Sequence, residues 1–268
     1  MNPLIGNGAA LFFEDSGPRE GAPVILVHGH PFNHTMWAPQ TAALTTAGYR
    51  VITPDLRGYG RSPVIAGTAP LAGLADDLAA LLDALGIEQA VVGGVSMGGQ
   101  IAMEMRLRHP GRIRALVLSD TSAAPETQEG RTARRELAER LLAEGMKPYT
   151  DEVIDKMLAP YNVTGMPGAA ARITAMMYAT DPRGAAAALR GRAERPDYRP
   201  VLAELPADVP CLIVVGRDDV YTPVAEAESL HALAPHSVLA VVERAGHLPG
   251  VEQPEAFNRV LLEFLAGL

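Results

Sequence analysis

The sequence predicts an α/β fold in which a mostly parallel sheet carries helices on both faces. Short β-rich runs alternate with helical patterns along most of the 268 residues. The middle runs are continuously apolar, which is typical of parallel strands covered on both faces. Hydrophobic residues make up 48% of the chain, enough for one large domain or one domain with an insertion.

The individual elements follow from the apolar periodicity of each segment. Strands are predicted at "ALFFE" (10–14), "VILVHG" (24–29), "RVITPD" (50–55), "AVVGGV" (90–95), "RALVLSD" (114–120), "CLIVVG" (211–216) and "SVLAVVE" (237–243). Helices are predicted at 35–48, 70–87, 98–110, about 223–234 and from about 254 onward.

Residues 124–200 interrupt this alternation. They are rich in Ala and Arg, look helical and contain no convincing strand. The segment follows a predicted strand, and α/β sheets place ligands beyond the carboxyl ends of their strands. We therefore expect 124–200 to form a helical cap, with 1–123 and 201–268 forming the core. Extra helices with ordinary cores are the alternative.

The stretch "GVSMG" (94–98) is a G-x-S-x-G motif between a predicted strand and a predicted helix. A sharp strand-to-helix turn forces Ser96 toward positive φ, so its neighbours must be small. The turn would expose the Ser96 hydroxyl, and the backbone N–H of Met97 could bind an oxyanion. Ser96 is therefore the predicted nucleophile.

A serine nucleophile needs a base and an orienting carboxylate, in the chain order Ser, acid, His for this topology. His247 follows the last predicted strand and is the candidate base. Asp218 and Asp219 follow the strand before it, and both qualify as the acid by position.

The loop "VHGHPFN" (27–33) offers the second oxyanion donor. The backbone N–H of His30 is the candidate, with its side chain lining the pocket, whereas His28 is expected to brace the loop by hydrogen bonding. A metal site formed by His28, His30 and His34 is a weaker alternative, because the spacing is loose and neither Cys nor a carboxylate cluster joins it.

Five stretches together resemble one family. They are "VHGHPFNHTMW", "VITPDLRGYGRS", "VVGGVSMGGQIA", "IVVGRDDVYTP" and "ERAGHLPGVEQPEAF", and they span nearly the whole chain except 124–200. The chain resembles α/β-hydrolase-fold proteins of the esterase, lactonase and haloperoxidase-like branch. The resemblance implies an eight-stranded, mostly parallel sheet with a helical cap inserted after strand six.

The same resemblance implies a role for each site residue. Ser96 would be the nucleophile, His247 the base, and Asp219 the acid, as the fourth residue of "GRDD". Asp218 and the more distant Asp120 remain alternatives for the acid. In the family's loop the residue after the glycine donates the oxyanion N–H, which selects His30.

Serine at the nucleophile position argues against a haloalkane dehalogenase or an epoxide hydrolase, because family members with those activities carry Asp there. The expected activity is hydrolysis of a small to medium, largely apolar ester or lactone through an acyl-enzyme. A lyase, perhydrolase or cyclase using the same Ser–His pair, or a ligand-binding receptor, is the alternative. The side chains predicted to line the substrate pocket are Phe32, Met146, Met157, Tyr161, Met177 and Leu248.

Composition limits the partners. The net charge is −8 and no basic stripe appears, which argues against nucleic acid and anionic membranes. The single Cys211 allows no internal disulfide. No signal peptide or membrane span is evident, so a cytoplasmic location is expected. The predicted partner is a small-molecule substrate, without metal or organic cofactor, and a homodimer is left open.

Overall fold

The computed structural model describes residues 10–64 and 67–268, and within them seven strands form one sheet. The strands are β1 (Phe13–Ser16), β2 (Pro23–Val27), β3 (Arg50–Pro54), β4 (Ala90–Val95), β5 (Ile113–Ser119), β6 (Cys211–Gly216) and β7 (Val238–Val242). Their order is β1-β3-β2-β4-β5-β6-β7. Only β1 pairs antiparallel in this sheet.

Core helices connect the strands. They are α1 (Ala38–Thr46), α2 (Leu71–Ala84), α3 (Met97–Arg108), α10 (Val224–Leu233), α11 (Pro249–Glu252) and α12 (Pro254–Ala266). A 3-10 turn at His34–Trp37 precedes α1, and another lies at Pro110–Arg112. Between β5 and β6 lie α4 (Gln128–Glu144), α5 (Met146–Met157), α6 (Pro160–Gly165), α7 (Pro167–Ala179), α8 (Pro182–Ala193) and α9 (Arg199–Ala203).

Two apolar clusters cover the two faces of the sheet. In β2, Ile25 and Val27 belong to the cluster that includes α2 and α3. Val24 and Leu26 point the other way, into the cluster that includes α1 and α12. Since successive strand residues face opposite sides, both faces of β2 must be apolar. The apolar runs in the sequence are continuous because the strands are covered on both faces.

The fold class predicted from the sequence is confirmed, with two differences in the sheet. The described residues contain seven strands rather than eight, so the helical insertion follows the fifth of them. The predicted strand at 10–14 is shifted, because pairing with β3 runs only from Phe13 to Ser16. Leu11 and Phe12 precede the ladder and are buried instead.

None of the described helices has the length and apolar character needed to cross a lipid bilayer.

Candidate active site

Ser96 occupies the sharp turn between β4 and α3. Its φ is 55°, a value that non-glycine residues rarely adopt. The turn is held from both sides, because the Ser96 N–H donates to the Ser119 carbonyl at 2.9 Å and the Thr121 hydroxyl donates to the Ser96 carbonyl at 2.7 Å. A strained backbone conformation that is held in place by surrounding hydrogen bonds is common at active sites.

The glycines around Ser96 are required by close backbone approach. A Cβ on Gly94 would lie 2.2 Å from the carbonyl carbon of Gly98, and a Cβ on Gly98 would lie 2.2 Å from the Val27 oxygen. Neither position has room for a side chain. The first turn of α3 can therefore lie directly against the ends of β2 and β4, with Ser96 at the edge of the sheet.

His247 and Asp219 form a buried hydrogen-bonded pair beyond the ends of β7 and β6. Nδ1 of His247 lies 2.8 Å from Oδ2 of Asp219. The Thr222 hydroxyl and the Tyr221 N–H also donate to this carboxylate. Burial alone would raise the pKa of Asp219, but His247 and these donors outweigh it and lower the pKa. Asp219 is thus an anion that orients the His247 ring.

Asp218 points elsewhere, although its position in the sequence was equally suitable. It is exposed, and its carboxylate accepts a hydrogen bond from the Tyr161 hydroxyl. Of the two neighbouring aspartates, only Asp219 contacts the imidazole of His247.

Asp120, the other alternative for the acid, lies close to this pair. Its carboxyl accepts hydrogen bonds from the Gly216 N–H at 2.9 Å and the Ser119 hydroxyl at 2.6 Å. Burial, and then the charge of Asp219, raises the pKa of Asp120 well above its usual value. The surroundings therefore favour the neutral form of Asp120 and the ionised form of Asp219.

One group in the described part of the chain has ligand atoms close enough to share a metal ion: Asp120, Asp219 and His247. Their atoms are already engaged with each other and with neighbouring donors. A neutral acid and a hydrogen-bonded imidazole suit a proton-transfer site better than a cation site.

The predicted oxyanion donors lie at the expected places in the chain. Met97 is the first residue of α3, so its N–H has no partner within the helix. His30 lines the cavity that contains Ser96 and His247. Nδ1 of its ring lies 2.7 Å from the Tyr59 hydroxyl.

The three histidines weighed as metal ligands have separate partners. His28 donates from Nδ1 to the Gly29 carbonyl and accepts at Nε2 from the Leu56 N–H, so it braces this loop. Burial lowers the pKa of His28 to about 4, which keeps the ring neutral. His34 contacts Asp55 instead.

Ser96 and His247 open into a cavity of about 440 Å³ between the sheet edge and the inserted helices. Core residues supply one side of it, and α4, α5 and α8 supply much of the other. The lining consists of His30, Ser96, Gln100, Thr121, Ser122, Arg134, Leu137, Tyr149, Glu152, Val153, Lys156, Met157, Leu189, Arg192, Arg195, Tyr221, Thr222 and His247.

Of the six side chains predicted to line the pocket, the structure places only Met157 in this lining. Phe32, Met146 and Met177 are buried in the apolar cluster that also covers the sheet. Leu248 is buried in the same cluster, and Tyr161 is exposed beside Asp218. The prediction that these apolar side chains line the pocket is therefore wrong for all but Met157. Most of them are buried where the inserted helices pack on the core.

Sequence reasoning missed Glu252, which connects the His247 loop to the insertion. Its buried carboxylate accepts from the N–H groups of Gly246 (2.9 Å) and Leu248 (3.2 Å), on either side of His247. Its other oxygen accepts from Ala159 N–H and Asn162 Nδ2, both at 2.8 Å. Glu252 lies within the family-like stretch "ERAGHLPGVEQPEAF", in which only His247 was assigned a catalytic role.

Comparison with known proteins agrees with this architecture. The model of the alpha/beta hydrolase fold family matches residues 22–254. A thermophilic esterase structure from Thermogutta terrifontis, described as malate-bound, has a TM-score of 0.95 and 38% identity, covering 100% of this chain and 98% of that one. The enol-lactonase structure from Burkholderia xenovorans has a TM-score of 0.91 and 27% identity, with 99% and 100% covered.

A curated relative is similar along nearly its whole length. It is 3-oxoadipate enol-lactonase 1 of Acinetobacter baylyi, 30% identical over 261 residues, covering 97% of this chain and 95% of that protein. The chain belongs to the alpha/beta hydrolase fold family. Its similarity to esterases and enol-lactonases supports a hydrolase of the ester or lactone type.

Proposed function

We propose that the protein is a serine hydrolase that opens carboxylic esters or lactones through an acyl-enzyme on Ser96. The observation that carries this proposal is the buried His247–Asp219 pair, with Nδ1 and Oδ2 2.8 Å apart, in one cavity with a serine at φ 55°. The esterases and enol-lactonases among its relatives support the same reaction class.

In this proposal His247 removes the Ser96 proton while Oγ attacks the substrate carbonyl. Asp219 fixes the ring so that Nε2 is the free base, and it stabilises the imidazolium. The N–H groups of His30 and Met97 bind the oxyanion, each worth about 3 kcal/mol in such sites.

The C–O bond then breaks, and His247 returns its proton to the leaving alkoxide. Water, deprotonated by the same ring, attacks the acyl-enzyme and releases the acid and free Ser96. No step requires a group other than the substrate, water and these side chains.

The test is turnover of p-nitrophenyl acetate and butyrate, combined with fluorophosphonate labelling and intact mass. The wild type should turn over both esters and gain one adduct at Ser96. Ser96→Ala should lose at least about 10⁴-fold in kcat and stay unlabelled.

A matched control is Ser229→Ala, a change on exposed α10 where the hydroxyl only caps the Ala225 carbonyl. It should behave as the wild type. Labelling without turnover would favour a lyase, perhydrolase, cyclase or receptor. If the wild type shows no labelling and no turnover, Ser96 is ruled out as the nucleophile.

A further inference from the structure

The cavity around Ser96 is cationic although the whole protein carries a net charge of −8. Its described lining contains four cationic side chains and one acidic side chain. These are Arg134, Lys156, Arg192 and Arg195 against Glu152. Glu152 is already paired with Arg140, at 2.7 Å. The charge is therefore concentrated where a substrate would lie.

Two of the three arginines share a single carboxylate. Glu126 accepts from Arg134 and from Arg195, the latter at 3.0 Å. Within residues 10–64 and 67–268, no carboxylate lies within 4.0 Å of the Arg192 guanidinium. Burial, and then repulsion from Arg134 and Arg195, lowers the pKa of Arg192 to about 9. An incoming anion would strongly stabilise a buried guanidinium that has no carboxylate partner.

Arg192 is held close to the nucleophile. Its Nε lies 3.2 Å from Oε1 of Gln100, a neutral acceptor. Gln100 follows Ser96 by one turn of α3, and its N–H donates to the Ser96 carbonyl at 3.2 Å. Ser96, Gln100 and Arg192 all line the same cavity. A substrate carbonyl at Ser96 and an anionic group at Arg192 can therefore belong to one small molecule.

A second unpartnered polar group lies in the same lining. Nε2 of His30 is buried without a hydrogen-bond partner among the described residues. Burial, and then Arg192, lowers the pKa of His30 well below its usual value, so the ring is neutral. Buried polar atoms rarely stay unpaired, and a polar substrate atom would complete this one.

We propose that Arg192 binds a carboxylate of the substrate, so that the ester or lactone opened at Ser96 is an anionic one. This inference rests on the proposed hydrolase function and gives it a substrate class. The planar guanidinium can bind a carboxylate through two parallel hydrogen bonds. The largely apolar substrate expected from the sequence does not fit this lining, because four cationic side chains and only one acidic side chain surround the cavity.

The first test compares matched pairs of esters on the wild type. Monoethyl glutarate and monoethyl adipate carry a free carboxylate, while ethyl pentanoate and ethyl hexanoate are neutral chains of similar length. The wild type should prefer the half-esters by about 10-fold or more in kcat/KM. A preference for the neutral esters would overturn the inference without any variant.

Variants then locate the effect. Arg192→Met should reduce the ratio of half-ester to neutral-ester kcat/KM by about 30-fold, and Arg192→Lys should restore part of it. Arg190→Met is the control, since Arg190 lies on the same helix but pairs with Glu139 outside the cavity. It should leave the ratio unchanged. An unchanged ratio in Arg192→Met would contradict the proposal.

A binding measurement on an inactive variant tests the carboxylate site independently of the proposed hydrolase activity. Calorimetry of Ser96→Ala should detect glutarate, and adding Arg192→Met should abolish the signal. If no ester is hydrolysed but glutarate binding depends on Arg192, the hydrolase proposal fails and the carboxylate site stands. If esters are hydrolysed and glutarate binds equally with and without Arg192, only the carboxylate site fails.

Discussion

Asp120 lies beside the Asp219–His247 pair, at φ 45° just after β5. Asp120 and Asp219 have carboxyl oxygens within 4.8 Å of each other. Ionising both groups would be costly in free energy, because the two negative charges repel. The neutral Asp120 can donate a hydrogen bond to Asp219 while it accepts from the Gly216 N–H and the Ser119 hydroxyl. We infer that Asp120 is a positioning residue, which fixes Asp219 and so the His247 ring.

Asp120→Asn should preserve ester turnover within about threefold, because the amide oxygen can still accept from the Gly216 N–H while the NH2 group donates, and the Ser119 hydroxyl can rotate to accept. Since the folded state raises the pKa of Asp120, wild-type stability from this group is present below the unfolded pKa and is lost as the pH rises. Removing the titration should make the variant gain stability relative to wild type as the pH rises above the pKa of an unfolded aspartate. Urea unfolding at several pH values measures this difference.

Asp120→Ala is the contrasting variant. It leaves the Gly216 N–H without an acceptor in a buried site, so a loss of about 2 kcal/mol relative to Asp120→Asn is expected at all pH values. Parallel stability curves for wild type and Asp120→Asn would show that Asp120 ionises normally, against the assignment above.

At the scale of elements, Glu252 at the end of α11 connects two loops that are far apart in the sequence, and it does so through hydrogen bonds. It binds the backbone on both sides of His247 and the start of α6 in the insertion. The two oxygens of the Glu252 side chain accept all of these hydrogen bonds, whereas an amide would present two N–H donors to some of the same partners.

Glu252→Gln should therefore lower the free energy of unfolding by about 2 kcal/mol, since buried donors would be left unpaired. It should also lower kcat for p-nitrophenyl esters more than it raises KM, because the His247 loop loses its anchor. Denaturation and steady-state kinetics measure both effects. Glu255→Gln, at an exposed position in the first turn of α12, is the control and should change neither.

Local patterns in the sequence predicted most of the elements and the sharp turn at Ser96 well. The apolar runs predicted β2 to β7, and G-x-S-x-G predicted the Ser96 turn, because the close approach of Gly94 and Gly98 lies within the motif itself. Asp218 and Asp219 were indistinguishable, since the choice depends on which side chain faces His247. Arg192 and Glu252 act through partners 92 and 93 residues away, and no local pattern encodes such contacts.

At the scale of the molecule, α8 joins the insertion firmly to the core. A Cβ on Gly184 would lie 1.9 Å from the Gly58 oxygen, and a Cβ on Gly191 would lie 1.8 Å from the Ala69 oxygen. The Ala69 N–H also donates to the Ala187 carbonyl on α8, at 2.9 Å. This backbone contact holds the helix that carries Arg192 against the core.

Gly191→Ala should force α8 away from the core and lower stability by about 2 kcal/mol, as overpacking does in close-packed sites. Because Arg192 is the next residue, the half-ester preference should fall along with stability. Thermal unfolding and the ester ratio measure the two effects. The control is Gly168→Ala on α7, where a Cβ would meet only Arg172 Nη1 at 3.9 Å.

Gly168→Ala should be neutral or stabilising by about 0.5 kcal/mol, as alanine favours helix. Lower stability with an unchanged ester ratio in Gly191→Ala would mean that Arg192 keeps its place independently of this contact. If both quantities stay at wild-type values, α8 can shift on the core without cost, and the insertion would be a moving lid rather than a fixed wall. The same two measurements therefore decide whether substrate selection is built into a rigid cavity.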